Sequence, residues 1–566
     1  MTSVSSSTSS TSTTSSSSSS SSVTTTGTTT STSIDWDALI TAAVDAKLTQ
    51  ATTISTTITN NEAKISAYQT LQTDLSTLSS GLSSLATAVV NSLATNVFAT
   101  RAATLSSTGD VSASSALSMS VSNGAATGDH TLTISQVATA QKVAGTSQSS
   151  QTDELGYSGT FSVGLEGGSA ADITIDSTMS LQDVVDTINA QTSSTNVQAS
   201  IVQVSSGSYE MVLTGTKDAA DITYSSTSGD DILNKLGVTD STGAFADVLQ
   251  TSQSAIFALD GISMTRDTND ITDVLTGVTF NLLQATPSGS TLNISIEPDT
   301  SQIETAVENL VTNYNTFRDA VIAQQATSSD GTADSSAVLF GDGTMRDIMD
   351  ALQNALNSTI GGLTMADLGL SFNEKNELEL DTSTLSEILS TNLSGVTTLL
   401  SAQTKTSSSQ LTVVNTGTSP QSFTLDLTVD ADGNLSSASV GGDSSLFTVS
   451  GTTIIGAAGS AYAGMAFTYT GSTSQSITVT STQGIATQLY QISKNYSSSS
   501  GQLQTLITNL TDRDNDLQQK VDDIESSAST YKAQLQTQYA QYQAAIESAN
   551  NTLDYLKALL NSSSSN

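Results

Sequence analysis

The 566-residue chain contains no cysteine and a single histidine. Without cysteine there is no disulfide, no thiolate nucleophile and no Cys-ligated metal. Outside a reducing compartment such a chain must be held by its core and by oligomerisation, and the same absence suits a protein threaded unfolded through a narrow channel. One histidine, His130, excludes His–His metal sites and leaves a single candidate catalytic imidazole. It lies in a stretch, 128–134, that alternates like a strand, so a solvent-facing strand position is expected for it. Basic residues are also scarce: 16 Lys and Arg against 53 Asp and Glu give a formal charge of −37. Nucleic-acid binding, which needs cations opposite phosphates, is excluded, and so is docking on an anionic membrane surface. Charged residues make up only 12% of the chain, so Ser, Thr, Asn and Gln do most of the solubilising. No run reaches the roughly 20 apolar residues of a membrane span, so no membrane insertion is expected. Nor does the start of the chain carry the basic region and apolar core of a secretory signal. The Ser/Thr tract at 1–33 has too little apolar surface to fold and is expected to be disordered.

Catalytic signatures are missing as well. There is no phosphate-cradling glycine loop, no nucleophile elbow and no carboxylate pair spaced for acid–base work. Residues 430–434 resemble a calcium loop, but the glycine falls two positions early and no bidentate Glu follows, so a hairpin turn is expected. The chain reads as a non-enzyme without catalytic, cofactor or metal residues.

What the chain does have is a helix-forming stripe at each end. From 505 to 560, steps of three and four lead from Ile507 through Leu510, Asp514, Leu517, Val521, Ile524, Ala528, Tyr531 and Leu535 to Gln538, Tyr542, Ala545, Ala549, Thr552, Leu556 and Leu559. No Pro or Gly interrupts it. Such a 3.5-residue repeat is a coiled-coil seam that needs a helical partner, and the rod would be some 80 Å long. The opposite end, 34–90, repeats the pattern through Ile54, Ile58, Asn61, Ile65, Tyr68, Gln72, Leu75, Leu82, Leu85 and Val89. Asp35 or Asp37 is placed to cap this helix, and Trp36 to anchor its start.

Between the stripes the pattern changes to short alternating runs with Gly-rich breaks, the signature of antiparallel strands. Among them, 180–189 reads as a Ser-capped amphipathic helix and 231–236 as a short one closed by Gly237. Residues 256–264 read as two strands around an Asp-Gly turn. Helix returns at 302–323 after Pro298, and again at 383–389. A second β-rich block occupies 402–482. The fold class is therefore α+β, with terminal coiled-coil helices forming a leg and base and nested antiparallel β-rich domains in the middle.

The order of motifs resembles the bacterial flagellar filament cap family, also called hook-associated protein 2. The resemblance runs almost end to end. Residues 62–68 leading into Leu71, Leu75, Leu78 and Leu82 look like the family's first block. Residues 128–138 resemble its strand motif, with His130 where an aromatic or apolar residue is usual. The most specific likeness is the block from Asp260 and Gly261 through Arg266 and Asn269 to Gly277, similar to the family's "DG … R-x-x-N-x-I … G-V-T-L". Asn313-Tyr314-Asn315, Phe340-Gly341-Asp342 and 368–370 with 380–381 follow in order, and 538–556 resembles the family's ending.

The resemblance implies a secreted protein at the distal tip of the filament, exported unfolded with the help of the export apparatus and its chaperone. It implies a homo-oligomeric ring, a homopentamer first and other ring sizes second, whose partner is flagellin and whose role is to fold and insert flagellin subunits. Composition and the nested order of the elements suggest the layout, in which the tail and the 402–482 block depart from the family pattern: a disordered tail at 1–33, and an N-terminal coiled-coil helix at 34–95 within the leg and base. The inner β-domain joins 96–145 to 251–300 around an outer α+β domain at 146–250. The base continues at 301–401, an extra β-rich domain occupies 402–482, and the C-terminal coiled-coil helix covers 483–566. The assembly interface would follow Ile54, Ile58, Ile65, Tyr68, Leu75 and Leu82, with Leu517, Val521, Ile524, Tyr531, Leu535, Tyr542 and Leu556. The competing readings are another axial protein, flagellin or a hook–filament junction protein, and a surface protein for cell adhesion. An aromatic content of 4% argues against sugar-binding platforms as the main function.

Overall fold

A computed structural model describes residues 35–86, 95–416 and 422–563; the Ser/Thr tract and Val89 lie outside the described residues. The chain forms two compact units, one of 1–63 with 509–566 and the other of 64–508.

The first unit is built from stretches of two long helices, Trp36–Ala86 and Gln502–Ser563. Asp35 caps the first, its Oδ1 accepting the Ala38 N–H at 3.0 Å, with Asp37 in the first turn. The many Ser and Thr residues do not break the helix. Their hydroxyls bond back to the carbonyl four residues earlier, as at Thr49, Thr53 and Thr57, which satisfies them locally.

In the second unit the N-terminal helix buries Leu71, Leu75, Leu78, Leu82 and Leu85. A five-stranded antiparallel sheet follows, with the strands in the order Arg101–Thr108, Thr291–Pro298, Gly128–Gln136, Ala255–Leu259 and Ile262–Arg266. A three-stranded sheet joins Asp270–Ile271, Val278–Leu282 and Leu117–Val121. Alternation puts Leu132, Ile134, Phe257 and Phe280 into one apolar cluster.

Inserted into this region is a second one with its own core. A four-stranded sheet (Asp247–Gln250, Lys142–Ala144, Ser208–Gly215, Val197–Ser205) and a three-stranded one (Ala170–Ile175, Gly159–Leu165, Ile222–Gly229) enclose Phe161, Val163, Met211 and Leu213. The helix Leu181–Ala190 contributes Leu181, Val184, Val185 and Ile188 to that core and starts in a reciprocal Ser180–Asp183 capping box. The helix expected at 231–236 is shorter, Ile232–Lys235, because Asp231 caps it from outside.

Helices Thr300–Ala323, Gly343–Leu356, Thr382–Leu400 and Ile485–Ser497 complete the second unit. The third of these runs well beyond the expected 389, through a kink at Asn392 (φ −146°, ψ 50°). Between it and Ile485–Ser497 lie two four-stranded antiparallel sheets around a third cluster that includes Phe423, Phe447 and Phe467. Residues 430–434 form a turn: Asp430 Oδ1 accepts the N–H groups of Asp432 and Asn434 at 3.0 and 2.8 Å. The first and last strands of this block pair with Gln403 opposite Thr482, so its two chain crossings lie side by side. Replacing 403–482 with a short Gly/Ser linker is expected to leave the rest of the chain folded, with its melting temperature within a few degrees of the parent. Loss of the cooperative transition in calorimetry would refute that independence.

Candidate assembly surfaces

In the first unit the two helices run antiparallel. Trp36 stacks on Tyr539 with ring centroids 4.8 Å apart, Lys47 Nζ sits 4.7 Å from the Tyr531 ring centre, and Asn61 Nδ2 donates to Asp514 Oδ1 at 2.7 Å. Among the expected seam positions, Val521 and Leu535 are buried, while Ile54, Ile58, Leu517, Ile524 and Tyr531 are half-buried. Asn61 and Asp514 are themselves buried, and Asp514 Oδ2 has no hydrogen-bond partner among the described residues. A polar pair at a seam position lowers stability but penalises slipped registers. Because Trp36 lies opposite Tyr539, the C-terminal helix extends past its partner, and every residue at 541–561 is exposed. Tyr542 and Leu556 are 48% and 53% exposed.

In the second unit Ile65 is half-buried and Tyr68, Leu75 and Leu82 are buried. The Tyr68 hydroxyl donates to Asp342, whose other oxygen accepts the Thr344 N–H at 2.7 Å and caps Gly343–Leu356. Burial, then the Asp342 hydrogen bond and charge, push the Tyr68 phenol well above its ordinary range. Gln72 Nε2 donates to the Ser497 carbonyl at 3.0 Å and to Gln504 Oε1 at 3.3 Å.

The motif block from Asp260 to Gly277 is a set of backbone braces. Asp260 (φ +50°) and Gly261 (φ +81°) form the tip of the hairpin between Ala255–Leu259 and Ile262–Arg266, as a two-residue turn with both residues left-handed requires. The Asp260 N–H donates to the Thr131 carbonyl at 2.8 Å. Its Oδ1 accepts the Thr131 N–H at 2.8 Å, and its Oδ2 lies 2.8 Å from His130 Nδ1. The hydrogen bond from His130, then that from the Thr131 N–H, holds this carboxyl below the usual range. His130 is therefore not a solvent-facing strand residue as expected. Its side chain is 21% exposed and turned onto Asp260. Arg266 reaches Asp273 at 3.0 Å and closes the loop between them. The Asn269 side chain both accepts from the Ala138 N–H (2.7 Å) and donates to the Ala138 carbonyl (2.9 Å). Gly277 (φ +80°) accepts the Ser122 N–H at 2.7 Å, and a Cβ there would sit 3.3 Å from that of Ala125.

Among the described residues no three His, Asp or Glu side chains come together as a metal would require, and no helix is long and apolar enough to cross a membrane. The contacts that sequence reasoning missed, Tyr68–Asp342, Asn61–Asp514 and Asn269–Ala138, join residues more than a hundred positions apart. The only advance signal was a polar residue at a stripe position, at 61 and 514.

Three family models match the chain: "Flagellar hook-associated protein 2 C-terminus" over 252–551, "Flagellar hook-associated protein 2 N-terminus" over 32–141, and "Flagellin hook IN motif" over 160–217. Flagellar hook-associated protein 2 of Escherichia coli is 26% identical over 387 residues, 65% of this chain and 78% of that one. The B-type flagellar hook-associated protein 2 of Pseudomonas aeruginosa is 25% identical over 394 residues, 66% of this chain and 80% of that one. The crystal structure of the D1-D2-D3 domains of the Escherichia coli flagellar cap protein FliD superposes with a TM-score of 0.50 at 20% identity. It covers 79% of this chain and 99% of that chain, a likeness of fold.

Two outcomes follow from the geometry. Leu535→Ala, in the paired part of the coil, should cost about 2 kcal/mol or more, whereas Leu556→Ala should stay within about 0.5 kcal/mol; helical circular dichroism of the monomer through denaturation compares them. The Asp260 pair should add less than ~1 kcal/mol, since solvent screens it. Because the folded carboxyl is the more acidic, that share is present above about pH 4 and is lost as pH falls through the folded value. Asp260→Asn should remove this part of the acid sensitivity, and a variant as acid-sensitive as the parent would refute the assignment.

Proposed function

The chain belongs to the flagellar hook-associated protein 2 family, the caps of the flagellar filament, and from that premise we propose how it works at the distal tip of the filament. The observation that carries the reading is the family match across 252–551, together with the helices Trp36–Ala86 and Gln502–Ser563, which pair antiparallel.

Capping is structural work, and the reading assigns it to surfaces. The β-rich middle would form the plate of a homo-oligomeric ring, a pentamer first, closed by head-to-tail contacts between copies. The terminal coil would engage the filament end through its exposed C-terminal stretch, where Tyr542 and Leu556 lie. The half-buried Ile54, Ile58, Leu517, Ile524 and Tyr531 would border that contact, while Tyr68, Leu75, Leu82, Val521 and Leu535 are taken up by packing within the chain. Half-buried and exposed apolar residues bordered by polar ones suit contacts between copies that break and reform as subunits are added. Flagellin would be the substrate, folded and inserted beneath the plate. Delivery would run through the export apparatus with its chaperone, a route compatible with a chain that has no cysteine. The β-rich block at 402–482 would be an extra domain, serving surface contact or adhesion.

Complementation of a flagellated strain lacking its own cap tests the reading. Restored filaments, with free flagellin falling in the medium, are expected. Confirmed export without filaments, and without crosslinks to the host's flagellin, would overturn it. In the same strain, removing 402–482 should spare motility and weaken surface attachment; unchanged attachment would end the adhesion proposal.

A further inference from the structure

The chain crosses twice between the five-stranded sheet region and the region inserted in it, at residues 137–141 and 250–254. The apolar clusters on the two sides share no residue, and hydrogen bonds run across the junction between them. The crossings bond to each other as a short ribbon: the Thr139 N–H donates to the Gln253 carbonyl at 2.9 Å and the Gln253 N–H to the Thr139 carbonyl at 3.1 Å. Glutamine side chains brace it, Gln253 Nε2 on the Val137 carbonyl at 2.9 Å and Gln250 Nε2 on the Ala140 carbonyl at 2.6 Å. A two-stranded ribbon between separate cores is a hinge unless something else holds it.

Asn269 ties the first crossing to the sheet region, next to the bond from the Ser254 hydroxyl to Asp267 Oδ1 at 3.0 Å. It stands in the loop after Ile262–Arg266, on the sheet side, and grips both backbone groups of Ala138, where the first crossing begins. Its Nδ2 also lies 3.4 Å from Asp218 Oδ2, in the loop of the inserted region that touches the ribbon. The next residue of that loop, Ala219, is held at φ +59°, a left-handed conformation unfavourable to a residue with a Cβ, and its N–H donates to the Thr139 carbonyl at 3.1 Å. One side chain thus touches the sheet region, the hinge and the inserted region. The geometry points to Asn269 as the latch that fixes the angle of the inserted region on the sheet region. Without it the ribbon swings. In a ring assembled from this chain, that angle sets where the inserted region of one copy meets the next.

The absence of native cysteine permits a direct test on the isolated full chain, independent of filament capping. Ser106→Cys and Thr227→Cys, both exposed and one in each region, carry a dye pair for single-molecule energy transfer, and hydrogen exchange is followed in the peptide covering 137–141. Asn269→Ala should broaden the transfer distribution at least about twofold and speed exchange of the Ala138 amide about tenfold. Asn269→Asp keeps an acceptor for that amide but loses the donor and faces Asp218. It should broaden the distribution while leaving the Ala138 amide within about threefold of the parent. Arg266→Ala, which breaks a neighbouring ion pair without touching Ala138, should change neither readout. An unchanged distribution in Asn269→Asp overturns the latch even if the alanine variant fails to fold. Equal effects from Arg266→Ala and Asn269→Ala overturn it too.

Discussion

The pairing of the chain's two ends is the constraint on which the rest depends. Asn61 and Asp514 are 453 residues apart and meet at 2.7 Å in a seam whose other positions are mostly buried or half-buried apolar residues. Neither helix is strong alone, since an isolated helix gains little without an apolar face to bury. The cost of closing so long a loop grows only slowly with its length, so distance along the chain does not forbid the pairing. A slipped register would set the Asp514 carboxylate against aliphatic neighbours. The coil therefore gives up stability at one layer and gains a single alignment.

Between those ends the chain nests. Strand Arg101–Thr108 finds Thr291–Pro298, the strands just inside them join the same sheet and core, and residues 143–238 between those strands fold around a core of their own. The block after Thr382–Leu400 repeats the device, opening and closing on one strand pair. Local antiparallel pairing lets the inserted core at 143–238 and the one at 411–479 each form from a continuous stretch, which helps a chain without disulfides. Hydrogen bonds run across the junctions, and a few side chains fix the angles between cores.

The block from Asp260 to Gly277 shows what kind of chemistry a sequence motif can carry. None of its residues is arranged around a reacting atom. Asp260 and Gly261 accept left-handed backbone, Arg266 closes a loop, Asn269 takes the place of a strand partner for Ala138, and Gly277 leaves room beside Ala125. Side chains that satisfy distant backbone groups tolerate little substitution, because the buried N–H or carbonyl left behind is costly. A motif made of turn formers and backbone-bonding side chains is a signature of geometry.

Wherever periodicity reports burial, the sequence by itself determined this protein. The stripes at Leu75, Leu82 and Leu85 and at Val521 and Leu535, the Ser180 cap, the Asp-Gly hairpin and the α+β class follow from spacing and turn chemistry, which act within a few residues. The missing cysteines also rule out any disulfide or thiolate. Only the tertiary structure decided that the coil's pairing reaches Tyr539 and leaves Tyr542 and Leu556 exposed, that His130 turns onto Asp260, and that Asn269 holds Ala138. Each of these depends on which remote segment arrives alongside, and a pattern of a few residues carries no record of a partner more than a hundred positions away.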